Sequence, residues 1–275
     1  MSVRRLIPLV ALFLLLVYPL TRATAQEDAD AKEKAKARLQ FMKDSAASYR
    51  FSADEGQREL TIVLEPLLRW TNPVSGLQDG TLFLWTEKTG RPAAAAQVFL
   101  TADNLWLHEF QSLSEGLFSA KRDDKPVWEP SRAGLSFATL PGAPTPAATT
   151  VKRLAQMRAL ADRFTANDEF EGKSRWELRM LAKPLLRYAD EKAGLLDGAM
   201  FSLVHGTDPE VFILLEARKT GDEHAWHYAL APMTGYALRV QLDGKEIWSV
   251  EWRKGPYKAT DPFFITIFKK EARAE

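Results

Sequence analysis

The sequence predicts an α+β protein made by tandem duplication, each copy one N-terminal helix packed on an antiparallel meander of about six strands. Three observations predict it. A block of residues returns at identical spacing, apolar residues alternate with period two along the first strand of each copy, and a helix-period segment stands ahead of each copy.

The repeated block carries most of the weight. Glu59-Leu60, Pro66-Leu67-Leu68-Arg69-Trp70, Gly76-Leu77, Asp79-Gly80 and Phe83 are answered without a gap by Glu177-Leu178, Pro184-Leu185-Leu186-Arg187-Tyr188, Gly194-Leu195, Asp197-Gly198 and Phe201. Upstream, Arg50-Phe51 and Ala53 answer Arg163-Phe164 and Ala166. Downstream, Trp106 answers Trp226, while Asp123, Lys125 and Trp128 answer Asp243, Lys245 and Trp248. The first copy is expected over residues 28–141 and the second over 150–275. Between them, 142–149 is a Pro/Ala linker without apolar periodicity.

Each copy should open with a helix. Val151, Leu154, Met157, Leu160, Ala161 and Phe164 recur at three- and four-residue steps, with Thr149 or Thr150 as cap. A weaker version covers Asp30 to Tyr49. A long strand follows: Leu60, Ile62, Leu64, Pro66, Leu68 and Trp70 share one face, and Leu178 to Tyr188 repeat the pattern. Pro66 and Pro184 cannot donate a ladder hydrogen bond, so this strand belongs at a sheet edge or at a bulge. Further strands are expected at residues 81–87, 96–101, 105–112, 117–122 and 126–129, and at 199–205, 211–218, 225–233, 237–242 and 246–252. Asp79-Gly80, Gly206-Thr207-Asp208-Pro209, Thr220-Gly221-Asp222 and Asp243-Gly244 read as turns. Phe263 to Phe268 reads as a last strand, closing the second sheet or reaching across to the first.

The N-terminus has the order of a secretory signal peptide over residues 1–25: basic Arg4-Arg5, an apolar run from Leu6 to Leu20, then Ala23-Thr24-Ala25. The run is short for a bilayer span, which takes roughly 20 residues. An uncleaved anchor is the alternative, and no stable membrane span is expected after cleavage. Cleavage removes three arginines and no acid, and takes the formal charge from +1 to −2. With zero cysteines, disulfides, thiol catalysis and cysteine-bound metals are excluded. The expected location is the periplasm or the extracellular space of a bacterium.

Charge balance argues against nucleic acid as a partner, since no basic stripe is present. Nucleotide-binding loops, nucleophile elbows and metalloprotease motifs are all missing, so neither a cofactor nor a metal is expected. His224 and His227 are close in sequence but fall on opposite faces of a strand. The Asp-Gly pairs read as turn chemistry rather than an acidic site. Arg69 and Arg187, at equivalent places, could bind an anion through their guanidinium forks, as could Arg50 and Arg163. The structural alternative is that each pairs with a nearby carboxylate. Of eight tryptophans, those that recur between copies read as core. Trp85, Trp176 and Trp252 lack an aromatic counterpart, which makes Trp85 and Trp252 candidates, with the two arginines, for contact with a ligand. The functional expectation is a non-catalytic binding or scaffolding module of the cell envelope, its partner an unidentified ligand or envelope protein. The alternative is a hydrolase of an envelope or extracellular polymer, with acids or histidine gathered where the two copies meet.

Overall fold

The computed structural model describes residues 11–72 and 76–267, with side chains from residue 29 onward. Residues 1–10 of the expected signal peptide and Phe268 of the expected last strand lie outside the described residues. The chain divides into two compact units, one up to Phe41 and one from Met42 onward. The described part of the first unit is helical throughout. No described helix is long and apolar enough to cross a membrane.

In chain order the elements are α1 (Ala11–Ala47), β1 (Tyr49–Ala53), β2 (Arg58–Glu59), β3 (Thr61–Asn72), β4 (Leu77–Thr86), β5 (Pro92–Leu100), β6 (Trp106–Ser112), β7 (Phe118–Arg122), β8 (Lys125–Trp128) and β9 (Ala138–Thr139). Then come α2 (Thr150–Ala161), β10 (Phe164–Phe170), β11 (Ser174–Glu177), β12 (Arg179–Met180), β13 (Leu186–Asp190), β14 (Leu195–His205), β15 (Asp208–Thr220), β16 (Glu223–Pro232), β17 (Ala237–Leu242), β18 (Lys245–Val250) and β19 (Phe263–Thr266). The architecture is α+β with antiparallel sheets, mostly β. Thr149 caps α2, its hydroxyl accepting from the Lys152 amide at 3.3 Å. Both helices end earlier than their periodicity suggests: Tyr49 and Phe164 each begin a strand.

Four antiparallel sheets form, not one meander per copy. Two are large, in the orders β19-β6-β5-β4-β3 and β12-β14-β15-β16-β9, with β13 also on β14. Two are small, β2-β1-β7-β8 and β11-β10-β17-β18. The meander breaks for a steric reason. The free edge of β6 is taken by β19, and the free edge of β16 by β9. The strands that follow, β7 and β17, therefore fold over onto β1 and β10. The last strand thus reaches across: Phe263 pairs with Gln111 and Thr266 with His108, while Thr139 pairs with His227. Each half of the sequence lends a terminal strand to the large sheet of the other half, and those halves are called lobes below.

The two large sheets pack against one another. Leu82, Leu84 and Ala95 meet Met200, Phe212, Leu214, Ala229 and Ala231 in one dry core. Strand β5 is buried along its whole length, as are the first ten residues of β15. The outer face of the second large sheet is covered by α2 and β17, through Met157, Leu160, Leu238 and Val240 against Phe201, Leu203, Ile213 and Leu215. In the first lobe aromatic rings fill the corresponding layer, with Phe51 stacked on Trp85 at 4.2 Å and Trp128 edge-on to Phe118 at 5.0 Å.

The proline-bearing strands behave as their chemistry requires. β3 is a sheet edge, and its pairing with β4 breaks between Val63 and Leu68, the stretch that contains Pro66. Its counterpart is interrupted between β12 and β13, around Pro184. Asp243-Gly244 is the turn between β17 and β18, but the other two Asp-Gly pairs are not turns. Asp79-Gly80 and Asp197-Gly198 lie inside β4 and β14, with Gly80 directly opposite Trp70 and Gly198 opposite Tyr188. The missing side chain is what the position needs: a Cβ on Gly80 would come within 2.4 Å of the Trp70 ring, and one on Gly198 within 2.7 Å of Tyr188.

Candidate functional site

The residues singled out from sequence divide into arginines paired with carboxylates and tryptophans with three different surroundings. Arg69 forms a fork on Asp79, donating through Nε at 2.8 Å and Nη2 at 2.6 Å. Arg187 does the same on Asp197, at 2.9 and 2.5 Å, and also donates to the Thr150 carbonyl. Asp197 accepts in addition from Arg153 at 2.7 Å. Arg50 faces Asp124 and Arg163 forks onto Asp243. Trp85 is a core residue, 1 % exposed. Trp252 lies elsewhere, lining a pocket whose walls come from both lobes. Trp176, 44 % exposed, is the member of its trio that faces solvent.

That pocket encloses about 370 Å³. The first lobe supplies Trp70 from β3, Phe99 from β5 and Glu109 from β6. The second supplies Phe170 from β10, Asp208 and Glu210 from β15, and Thr234, Tyr236, Trp252, Arg253 and Tyr257 from the segments around β17 and β18. Phe170 lies 5.0 Å from Tyr236 and 5.9 Å from Trp252 between ring centroids, so three aromatics form one rim.

The floor of the pocket is acidic. Glu109, Asp208 and Glu210 are all buried, and among the described residues none of them has a salt bridge. Two features of the backbone bring Asp208 and Glu210 there. The β14–β15 hairpin ends on the His205–Asp208 pair, which holds Asp208 at the tip. Its register then skips one residue: Val204 pairs with Pro209, Leu203 with Val211, and Glu210 is left over as a bulge. A bulge turns its side chain away from the strict alternation of the strand. The Glu210 carbonyl still accepts from the Met233 amide at 2.7 Å.

Behind Glu210 stands a second pair. His205 Nδ1 is 2.9 Å from Asp168 Oδ2, joining the end of β14 to the middle of β10, and the Trp176 ring lies over the imidazole at 5.2 Å. Asp168, His205 and Glu210 offer ligand atoms that lie within 4.8 Å of one another. Asp168 Oδ1 and Glu210 Oε2 have no hydrogen-bond partner among the described residues. Gln97, completely buried, donates to the Pro209 and Met233 carbonyls at 3.3 and 3.4 Å and ties the first lobe to this corner. Asn72 donates to Asp208 across the same junction at 3.4 Å.

Burial dominates the electrostatics. It pushes the Glu109 carboxyl well above its ordinary value, with the Asp208 charge adding and Arg253 opposing. It does the same to Asp208, against hydrogen bonds from Asn72 and Gln97, and to Glu210, where the charges of Asp208 and Asp168 add to it. Asp168 is raised by burial despite His205. Arg253 is lowered by burial, with Glu109 opposing. Four carboxyls and one imidazole with one nearby guanidinium make a site that gains from a bound cation or from a ligand rich in hydrogen-bonding groups.

The site is lopsided between the lobes. The β4–β5 hairpin carries the same bulge: Trp85 pairs with Ala94, Thr86 with Pro92, and Ala93 is left over, its carbonyl accepting from the Leu113 amide at 2.8 Å. Where the second lobe has Glu210, the first has Ala93. The β14–β15 hairpin thus aims a carboxyl where the β4–β5 hairpin has only a methyl group. Fold and site together define an antiparallel α+β protein with an acid-floored, aromatic-rimmed pocket between two lobes. The chain matches no protein-family model, no curated protein and no solved structure.

Proposed function

We propose that this is an exported protein of the bacterial envelope, built by tandem duplication of one α+β unit, and that it binds a small ring-bearing polar ligand of the sugar type in the pocket between its lobes. The signal-like N-terminus motivates the location, and the repeated spacing, together with the matching bulges at Ala93 and Glu210, motivates the duplication. The observation that carries the binding reading is the pocket itself. Buried carboxyls from both lobes lie beneath a rim of Phe170, Tyr236 and Trp252. Aromatic faces stack on the C–H faces of a ring while carboxyl groups take its hydroxyls, and a pocket of about 370 Å³ holds a ligand of one or two rings.

The test is native mass spectrometry of residues 26–275 taken gently from the exporting host, followed by calorimetry with envelope saccharides. A small-molecule adduct is expected, lost in Trp252→Ala. A clean apo mass together with no saccharide binding by a folded protein would overturn the reading. Hydrolysis in the same pocket is the second reading, favoured by carboxyl groups that converge from opposite lobes, as paired-acid chemistry needs. It is recognised by time-dependent shortening of a bound oligosaccharide.

A further inference from the structure

We infer that Asp168, His205 and Glu210 form a binding site for one divalent transition-metal ion of the zinc class. The first ground is the donor set. One imidazole and two carboxylates, with ligand atoms within 4.8 Å of one another, need only a small contraction to surround an ion at about 2.0–2.2 Å. An imidazole donor among oxygens favours zinc, cobalt or manganese over calcium or magnesium, which take oxygen donors. Three protein ligands leave a position open, here on the side where Glu210 lines the pocket.

The second ground is independent of the clustering. Asp168 Oδ1 and Glu210 Oε2 are buried without a hydrogen-bond partner among the described residues, in side chains 99 % and 98 % removed from solvent. A carboxylate oxygen held dry and unpaired costs stability unless something binds it. No arginine or lysine among the described residues forms a salt bridge with either group. An ion from solution would supply the missing partner for both oxygens.

The third ground is how the ligands are held. Glu210 is the bulged residue of the β14–β15 hairpin, and its place in the β4–β5 hairpin is taken by Ala93. His205 is the last residue of β14, and Asp168 sits on β10 in a different sheet. A bound ion would therefore cross-link the small sheet of the second lobe to the tip of its large one. This inference does not depend on a saccharide occupying the pocket.

The experiment uses the chain from residue 26 to 275, stripped with chelator and titrated with Co²⁺ and then Zn²⁺. The expected result is one equivalent of Co²⁺ giving a visible d–d absorption, displaced by Zn²⁺, with a rise in melting temperature. Glu210→Ala copies the residue found at the other bulge, so it is expected to fold. It and His205→Gln should weaken Co²⁺ binding by roughly tenfold or more. Trp252→Ala, which removes a rim residue, should leave the Co²⁺ spectrum unchanged, so failure of saccharide binding and failure of metal binding are read separately. A folded wild-type protein that shows no stoichiometric Co²⁺ spectrum would overturn the inference. So would binding that persists unchanged in Glu210→Ala.

Discussion

At the scale of single residues, the repeated block marks a small structural device. Arg69 and Trp70 on one strand meet Asp79 and Gly80 on the next, and Arg187, Tyr188, Asp197 and Gly198 do the same. The arginine forks onto the aspartate, and the aromatic ring lies flat over the glycine. Each of the four residue types is explained by its partner across the strand pair. Gly80→Ala is accordingly expected to cost about 1–3 kcal/mol, because the new methyl would overlap the Trp70 ring. A urea titration checks it, and an unchanged midpoint would show that the ring can move aside. These positions were legible in the sequence as a repeat, and the pairing of Arg69 and Arg187 with carboxylates was one of the readings open to it. Their meaning was not fully legible. Asp-Gly is the usual signature of a tight turn, and nothing in a one-dimensional pattern says that a glycine is there to make room for a ring on a neighbouring strand. The candidate site was less legible still. Period-two counting assigns side chains to faces only while the register is unbroken, and the bulge at Glu210 shifts the count by one. Asp208 and Pro209 read as turn chemistry, and Asp168, distant in sequence from His205, gave no local sign. Trp252 was singled out because it lacks an aromatic counterpart at the repeated spacing, a mark it shares with the core residue Trp85.

At the scale of elements, many strand positions were recoverable and strand partners were not. Apolar runs, period-two alternation and turn residues placed β4 to β8 and β14 to β18 within a few residues, whereas β10 and β11 were not read as strands. The same alternation is silent about which edge a strand joins. It suggested a continuous meander, whereas β19 and β9 occupy the edges that β7 and β17 would otherwise take. The importance of β19 is measurable. Phe264 is buried and lies 6.1 Å from Phe110, ring to ring, inside the first lobe. Phe264→Ala is expected to lower stability by about 3–5 kcal/mol. Amide hydrogen exchange should quicken along β6, the strand it pairs with, although the substitution lies near the other end of the chain. Faster exchange confined to the second lobe would contradict the observed pairing.

At the scale of the whole molecule, the lobes are joined by charge as well as by apolar contact. Arg91 of the first lobe donates to Glu216 of the second at 3.0 Å, and Arg218 of the second donates to Glu115 of the first at 2.6 Å. The Arg218 guanidinium lies 3.6 Å above the centre of the Phe137 ring. Burial raises the Glu115 carboxyl, but hydrogen bonds and charge from Arg218 and Arg91 outweigh it and hold the group below its ordinary value. A carboxylate depressed in this way adds stability that is fully present above the ordinary glutamate value of 4.5 and disappears as the pH falls through the folded value. The contribution is modest, because the Glu115 side chain is 41 % exposed. The urea midpoint of the wild type should therefore exceed that of Glu115→Gln at neutral pH and converge on it in acid. A gap of the same size at every pH would show that the carboxylate charge does not link the lobes.

The exchange of edge strands also sets an order of events in time. The first large sheet cannot be finished until Phe263 to Thr266 have been made, long after its other four strands, β3 to β6. One edge of the leading lobe's large sheet must therefore wait, unpaired, for a strand from the trailing lobe. Contacts this distant in sequence also fold slowly. A message cut short anywhere before β19 yields no finished large sheet in the leading lobe.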